Sequence, residues 1–510
     1  MQNYGFYLRY EKNLLTLQRN LIKNIILKTI IRIFILILSS LQVSAQIPKY
    51  EVRAVWLTTI GGIDWPHTYA SSTHSIERQK QELITILDQL QQANINTILL
   101  QARIRATTIF PSGMEPWDGC LSGHPGTSPG YDALQFAVEE CHRRGMTCHA
   151  WIVTIPVGKW DGYGCRQLRS KYPRLIRRIG EEGYMDPEQE LTGDYLARFC
   201  AEVTRRYDVD GIHLDYIRYP ETWKLKVSRR EGRQFITNIV GKIHRAVKAQ
   251  KPWVMLSCSP IGKYDDLSRF NSSGWNANTT VCQDAQAWLR DGLMDALFPM
   301  MYFQGNHFYP FMVNWKEFSY GRIVVPGLAV YMLHPKERNW PLDVVQREMN
   351  VLREQALGYT FFRSKFLTDN TKGVYEFTKD FNRYPALIPP MTWESRRVPS
   401  PVGGLTLSRG MTIDQLSWQG MHSGDNQNIL YNVYASEDYP VDVNDACNLI
   451  ACRQQGTTTR INHQGKTYNY AVTAVDRYGN ESVPRMTANK NVKPRKRLDF
   501  RSLIMGNRSK

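Results

Sequence analysis

DVDGIHLDYIRYP, running from Asp208 to Pro220, reads as a buried parallel strand that opens into a polar mouth. Side chains alternate along a strand, so His213 and Asp215 share one face while Ile212 and Leu214 take the other. A polar pair on a strand buried on both faces is costly unless it has partners or chemistry to perform. Asp215 stands at the carboxyl end, where barrel enzymes gather their reacting groups. Asp210, at the amino end, reads as structural.

Outward from this segment the chain alternates short β-rich runs with longer amphipathic ones. Strands are predicted at Arg53–Ile60, Asn96–Arg103, Thr147–Thr154, Gly211–Tyr216, Trp253–Pro260, Ala296–Phe303, Ile323–Tyr331 and Tyr359–Arg363. Val, Ile, Leu and aromatics crowd most of them, as suits strands covered on both faces. Helical periodicity fills Ile76–Gln92, Asp132–Arg144, Gly193–Tyr207, Arg233–Ala249 and Leu342–Ala356. Eight strands alternating with helices predict an α/β fold of the (β/α)8 TIM-type. A doubly wound open sheet is the alternative, but no glycine-rich phosphate loop follows the first strand.

The other strand ends are also polar. The first ends near Thr58, Thr59, Asp64 and Trp65, the second at Gln101 and Arg103, and the third offers His149 and Trp151 on one face. Tyr302 ends the sixth and Tyr331 the seventh. Aromatics with Arg, His and Asp around one mouth suit a neutral polyhydroxylated ligand, with rings stacking on sugar faces. Each aromatic alone is more often core packing. Glycoside hydrolysis needs two carboxyl groups. Asp215 is placed for one, and Glu221, Asp186 and Glu115 are the loop candidates for the other.

Past Tyr384 the texture changes. Pro385, Pro389, Pro390, Pro399 and Pro401 mark a linker, placed at 391–402. Residues 403–489 then run as short, turn-separated, alternating strands, including Leu430–Tyr434 and Tyr468–Asp476, and predict a small immunoglobulin-like β-sandwich. Trp418, YNVYAS and YAVTAVDRYGNES resemble a fibronectin type III module. The change of periodicity at the linker predicts a barrel, 46–390, that folds without the sandwich.

The 510 residues carry a formal charge of +17. Residues 1–45 hold six Lys/Arg against one Glu and residues 490–510 hold eight against one Asp, which leaves +5 for 46–489. The excess sits at the ends, so a nucleic-acid partner is not expected of the folded body. Lys23, Lys28 and Arg32 precede the apolar run Ile33–Leu38, and Val43-Ser44-Ala45 fits a signal-peptidase site before Gln46. That run is shorter than the roughly 20 residues of a membrane span. Export to the periplasm, the cell surface or the medium is the expectation, with 490–510 a basic tail lacking apolar periodicity. Nine cysteines include no CxxC pair, and no HExxH occurs, so neither a metal nor another cofactor is expected.

The ordered motifs resemble the glycosyl hydrolase-like 10 family. They are EVRAVWLTTIGGIDWP from Glu51, ILLQAR at 98–103, MEPW at 114–117, HAW at 149–151, DGIHLDYIRYP at 210–220, SPIG at 259–262 and GYTFF at 358–362. The resemblance implies a (β/α)8 barrel, export to the cell envelope and hydrolysis of a polysaccharide or envelope glycan, peptidoglycan strands among them. Two departures stand out. Family members commonly carry two consecutive acids where this chain has Asp215-Tyr216, and Arg218 occupies the place before Tyr219-Pro220 where the chitinase-like motif has its catalytic Glu. The expected reading is therefore a glycosidase with Asp215, Glu221 and Asp186 as catalytic candidates. Trp56, Asp64, Arg103, His149, Trp151, His213, Arg218, Tyr302 and Tyr331 are the expected sugar contacts. The rival is an inactive glycan-binding protein of the same fold. Attachment to the envelope through the sandwich or tail is the expected partnership, and the oligomeric state stays open.

Overall fold

The computed structural model describes residues 47–270, 272, 274–420 and 428–487. The leader of 1–45 and the tail of 490–510 lie outside them. The strands, in chain order, are β1 Arg53–Leu57, β2 Thr97–Arg103, β3 Thr147–Val153, β4 Pro156–Lys159, β5 Ile176–Ile179, β6 Glu182–Met185, β7 Gly211–Asp215, β8 Met255–Cys258, β9 Ala296–Leu297, β10 Ile323–Val324, β11 Gly327–Leu328 and β12 Tyr359–Phe361. One parallel sheet runs β10-β9-β8-β7-β3-β2-β1-β12-β11. Its two ends are halves of a single strand position interrupted at Val325-Pro326. β10 pairs with β9 and β11 with β12, so the ring closes around eight positions as an α/β barrel.

The eight predicted strands are present but shorter, because their carboxyl ends leave the ladder to form the mouth. Helices cover the outside. Thr73–Gln92 starts at a Ser72/Ser75 capping box and buries Leu83, Leu87 and Leu90. Arg229–Gln250 starts at a Ser228/Glu231 box and buries Ile236, Ile239, Val240, Ile243 and Val247. The lumen is packed with Ala54, Trp56, Leu99, Trp151, Met255 and Phe298, so the barrel has a filled core and no pore. Among the described residues no helix is long and apolar enough to cross a membrane. All nine cysteines are free, seven of them buried.

Two features depart from the sequence reading. The segment after β3 folds into an antiparallel insert, order β4-β6-β5, with helix Tyr163–Lys171 on it. Its strands have four residues each, too few for a period to show. The second departure concerns the C-terminal unit. β13 Gly403–Ser408, β14 Ile413–Gln419 and β17 Thr458–Asn462 form one sheet, order β13-β14-β17. β15 Leu430–Ser436, β16 Leu449–Gln454, β18 Asn469–Val475 and β19 Arg485–Met486 form the other, order β16-β15-β18-β19. This all-β unit is seated on the barrel floor. Tyr478, Ile388 and Trp393 pack on the lumen cluster, Trp393 Nε1 donates to Asp295 at 2.8 Å, and Arg453 pairs with Asp210 and Arg477 with Asp208. The described residues from Pro48 onward form one compact unit. The linker prolines lead straight into a shared apolar and charged floor, contacts that a barrel without residues 395–510 would lose.

Candidate active site

The site is built on the end of β7. Tyr216, the residue after Asp215, has φ +57°, a left-handed conformation that a bulky side chain rarely adopts. The bend turns the Tyr216 amide back onto its neighbour, and it donates to Asp215 Oδ1 at 2.8 Å. Ser259, beyond β8, donates to the same oxygen at 2.8 Å. Trp151 Nε1, from β3, donates to Oδ2 at 3.1 Å. Oδ1 is thus saturated, while Oδ2 has one protein donor and keeps capacity for a ligand. Burial raises the Asp215 pKa, and it outweighs the opposing pull of Ser259, Arg218, Trp151 and the Tyr216 amide.

The rim beside Asp215 carries charge and rings. Arg218 is buried, stacks on Tyr216 at 3.9 Å from the ring centroid, and donates to Glu221 Oε1 at 2.8 Å. Glu221 itself is exposed, and its partial burial is outweighed by the Arg218 charge, so its pKa is lowered. The Asp215 and Glu221 carboxylates both raise the pKa of Tyr216, behind burial and against the Arg218 charge. Tyr302 is also close. Its pKa is raised by burial first and by the Asp215 charge second. Tyr302, Tyr331 and Phe362 form a cluster with centroids 5.4–5.9 Å apart, Tyr331 edge-on to both and Tyr302 tilted against Phe362. Trp275 stands 43% exposed, with Arg218 5.8 Å from its ring centroid.

Asp215, Glu221, Arg218, Tyr302 and Tyr331 therefore gather at one place. Six other expected contacts do not face a ligand there. Trp56 is 2% exposed, donating from Nε1 to His213 Nε2 at 3.3 Å and meeting His213, Phe298 and Phe362 edge-on, so it fills the lumen. His213 is fully buried, pairs through Nδ1 with Ser257 at 3.0 Å, and is held neutral by burial and by His149. His149 lies in register with Gly211 at the start of β7, hence toward the floor, where burial pushes its pKa down to about 4. Trp151 is 4% exposed and orients Asp215 without offering a face to sugar.

Arg103 is corrected by a register shift between Gln101 and Arg103, which sends its side chain to the outer layer beside Phe199. There it forks onto Glu115, whose carboxylate also accepts from Tyr195, and donates to the carbonyls of Val153 and Thr154. That buried pair also removes Glu115 from the catalytic candidates. Asp64 is consumed by the Thr58 amide and hydroxyl, Arg363 and the Lys365 amide. Asp186 is buried in the loop before helix Glu190–Arg206, accepting from the Glu188 amide at 3.1 Å with Arg177 at 3.6 Å, and is structural.

Ser259, Tyr216, Trp275 and Phe362 were not singled out from sequence as site residues. Ser259 had a signal, since it follows the β8 strand in the SPIG motif. Trp275 had none, because it sits in a loop without periodicity. Among the described residues no group of three or more His, Cys, Asp or Glu is arranged to hold a metal.

Three comparisons bear on this geometry. The glycosyl hydrolase-like 10 model matches residues 51–231 and 222–322. The glycosyl hydrolase YngK of Bacillus subtilis (strain 168) is 26% identical over 475 residues, 85% of this chain and 92% of that protein. The glycosyl hydrolase DigH of Escherichia coli (strain K12) is 29% identical over 294 residues, 51% of this chain and 67% of that protein. Among solved structures, an alpha-L-fucosidase from Paenibacillus thiaminolyticus aligns with TM-score 0.43 and 15% identity, over 64% of this chain and 49% of its own. With its family model spanning more than half of the sequence, from the first barrel strand past the sixth, the chain belongs to the glycosyl hydrolase-like 10 family.

Proposed function

We propose that the protein is a glycoside hydrolase in which Asp215 is the general acid and Glu221 the base or nucleophile. The observation that carries this is two carboxyl groups on one rim in opposite surroundings: Asp215 set into the mouth and held by Ser259, Trp151 and the Tyr216 amide, and Glu221 exposed and paired with the Arg218 guanidinium, surroundings that raise the first pKa and lower the second. Environments that push two acids apart assign the roles, because the raised group keeps its proton for the leaving oxygen while the lowered one stays ionised. Oδ2 of Asp215, with one protein donor, is the oxygen that would carry the proton to the glycosidic bond. Trp275, Tyr302 and Tyr331 would hold the sugar. The experiment is hydrolysis of a glycan panel, peptidoglycan strands stripped of peptides included, by the wild type and by Asp215→Asn and Glu221→Gln; cleavage that survives both substitutions overturns the assignment.

The second reading, an inactive glycan-binding protein, is favoured by one feature: Glu221 is already engaged by Arg218. Wild-type protein that binds glycan oligomers and cleaves none would select it. Export also belongs to the proposal, resting on Lys23–Ala45, and mature protein starting at Gln46 in the periplasm, surface or medium is its test. The sheet orders of the C-terminal unit support a fibronectin type III-like module, whose docking role remains part of the proposal.

A further inference from the structure

The cations of the folded body are not spread evenly. Residues 163–178 contain Arg166, Arg169, Lys171, Arg174, Arg177 and Arg178 and no acid. Residues 222–230 contain Lys224, Lys226, Arg229 and Arg230, again with no acid. Together the two short runs hold ten positive charges, twice the +5 that residues 46–489 carry in all.

The fold puts the runs side by side on one flank of the mouth. The first is the insert, which begins two residues after Thr154, whose amide and hydroxyl donate to the Asp215 carbonyl. The second follows Glu221. They meet where the Arg177 guanidinium lies 4.7 Å from the Trp223 ring centroid. Trp160 holds two more guanidinium groups in place, with Arg169 at 3.7 Å and Arg178 at 5.6 Å. Arg166, Lys171, Arg174 and Arg178 are exposed, as are Lys224, Lys226 and Arg230. Among the described residues none of these seven has a carboxylate at ion-pair distance, although the insert also holds Asp161, Glu181 and Glu182. Elsewhere on the barrel some exposed cations are paired, as Arg269 is with Glu317 and Arg347 with Asp343.

Like charges left unpaired side by side repel, and a polyanion lying along them relieves that repulsion and is concentrated at the adjacent cleft. We infer that this strip is a docking track for a carboxylate-bearing glycan, which it feeds into the Asp215 mouth. A nucleic acid is the less fitting occupant because the track leads to a site whose acids and aromatic rings are those of glycan cleavage. The inference rests on the proposed function for the identity of the mouth and departs from the neutral ligand that the aromatics alone suggest.

The test separates track from chemistry by measuring binding in full-length Asp215→Asn protein, with polygalacturonate as the charged probe and the same polymer with its carboxyls reduced as the neutral one. At low salt the charged polymer should bind at least tenfold more tightly, and the advantage should shrink as salt rises. Arg166→Glu/Lys171→Glu and Lys224→Glu/Lys226→Glu should each weaken polygalacturonate about tenfold and leave the reduced polymer unchanged. The Gln counterparts replace them if charge reversal unfolds the protein. Equal binding of both polymers, indifference to the four substitutions, or tighter binding of duplex DNA at the same salt would overturn the track. Absence of cleavage by the wild type on any glycan would instead sink the hydrolase reading and leave the binding preference standing.

Discussion

Replacing Asp215 by Asn tests the proposed chemistry most directly. The change removes the transferable proton and nothing of the shape. Positioned acid–base catalysis contributes on the order of 10²–10⁴ in rate, or roughly 3–5 kcal/mol at about 1.4 kcal/mol per decade. The loss should therefore depend on the leaving group: close to the full factor on a glycan, whose alkoxide needs the proton, and about tenfold or less on a nitrophenyl glycoside, whose leaving group needs little help. Stability should move little because two effects oppose. With the amide oxygen at the Oδ1 position, the Ser259 and Tyr216 donors are satisfied, but the amide nitrogen then faces the Trp151 N–H and one hydrogen bond is lost. That costs about 1 kcal/mol. Against it, the folded state raises the Asp215 pKa, so ionised Asp215 destabilises the fold at every pH above that raised value, and a neutral amide escapes the penalty. Initial rates on both substrate types, together with thermal melting, read the two halves. A variant that keeps its rate on the glycan refutes the acid role, and one that melts many degrees lower makes Asp215 structural.

Glu221→Gln should lower activity by a similar factor and abolish the acid limb of the pH–rate profile, which Arg218 places below the usual glutamate range; Asp215 sets the alkaline limb, above the usual aspartate range. Trp275→Ala should raise KM about five- to tenfold with kcat nearly unchanged, since base–aromatic stacking on an exposed ring is worth about 1–3 kcal/mol and a sugar face offers the lower end; an altered kcat alone would place Trp275 elsewhere. Arg103→Met should destabilise the barrel by about 3–5 kcal/mol in denaturant melts by stranding Glu115 in the outer layer. Deleting residues 395–510 should yield an insoluble or early-melting barrel. In the intact protein burial opposes ionisation of Asp210, but His142 and Arg453 prevail and lower its pKa, so this floor contact stabilises above the ordinary carboxylate range and is lost as pH falls through the lowered value. A truncated protein that melts with the full chain would refute that coupling.

The barrel was legible because its signal is global. Eight apolar runs separated by amphipathic helices survive local errors, such as helix starts read at Ile76 and Arg233 where the capping boxes lie at Ser72 and Ser228. The insert after β3 was not legible, since three four-residue strands carry too few side chains for a period, and its stability comes from contacts such as Trp160 with Arg169. The floor contact was hidden for a related reason. Asp208 and Asp210 are near the start of a barrel strand, and Arg453 and Arg477 are more than 240 residues away; no local pattern joins them.

At the site, alternation and strand ends give the direction of a side chain and not its depth. That is why Asp215 stands at the mouth while His213, two residues earlier on the same face, is buried beneath it with Trp56. A single register shift was enough to turn Arg103 out of the lumen, and a shift leaves no trace in composition. The same limit explains the ligand. Rings and polar ends read one by one suggested a neutral sugar, whereas the unpaired cations of the insert and of Lys224–Arg230 acquire meaning only when Trp223 meets Arg177 and joins them into one strip beside Asp215. Charge in a sequence is a sum, but charge at a mouth is a placement, and placement is what decides which polymer the mouth can receive.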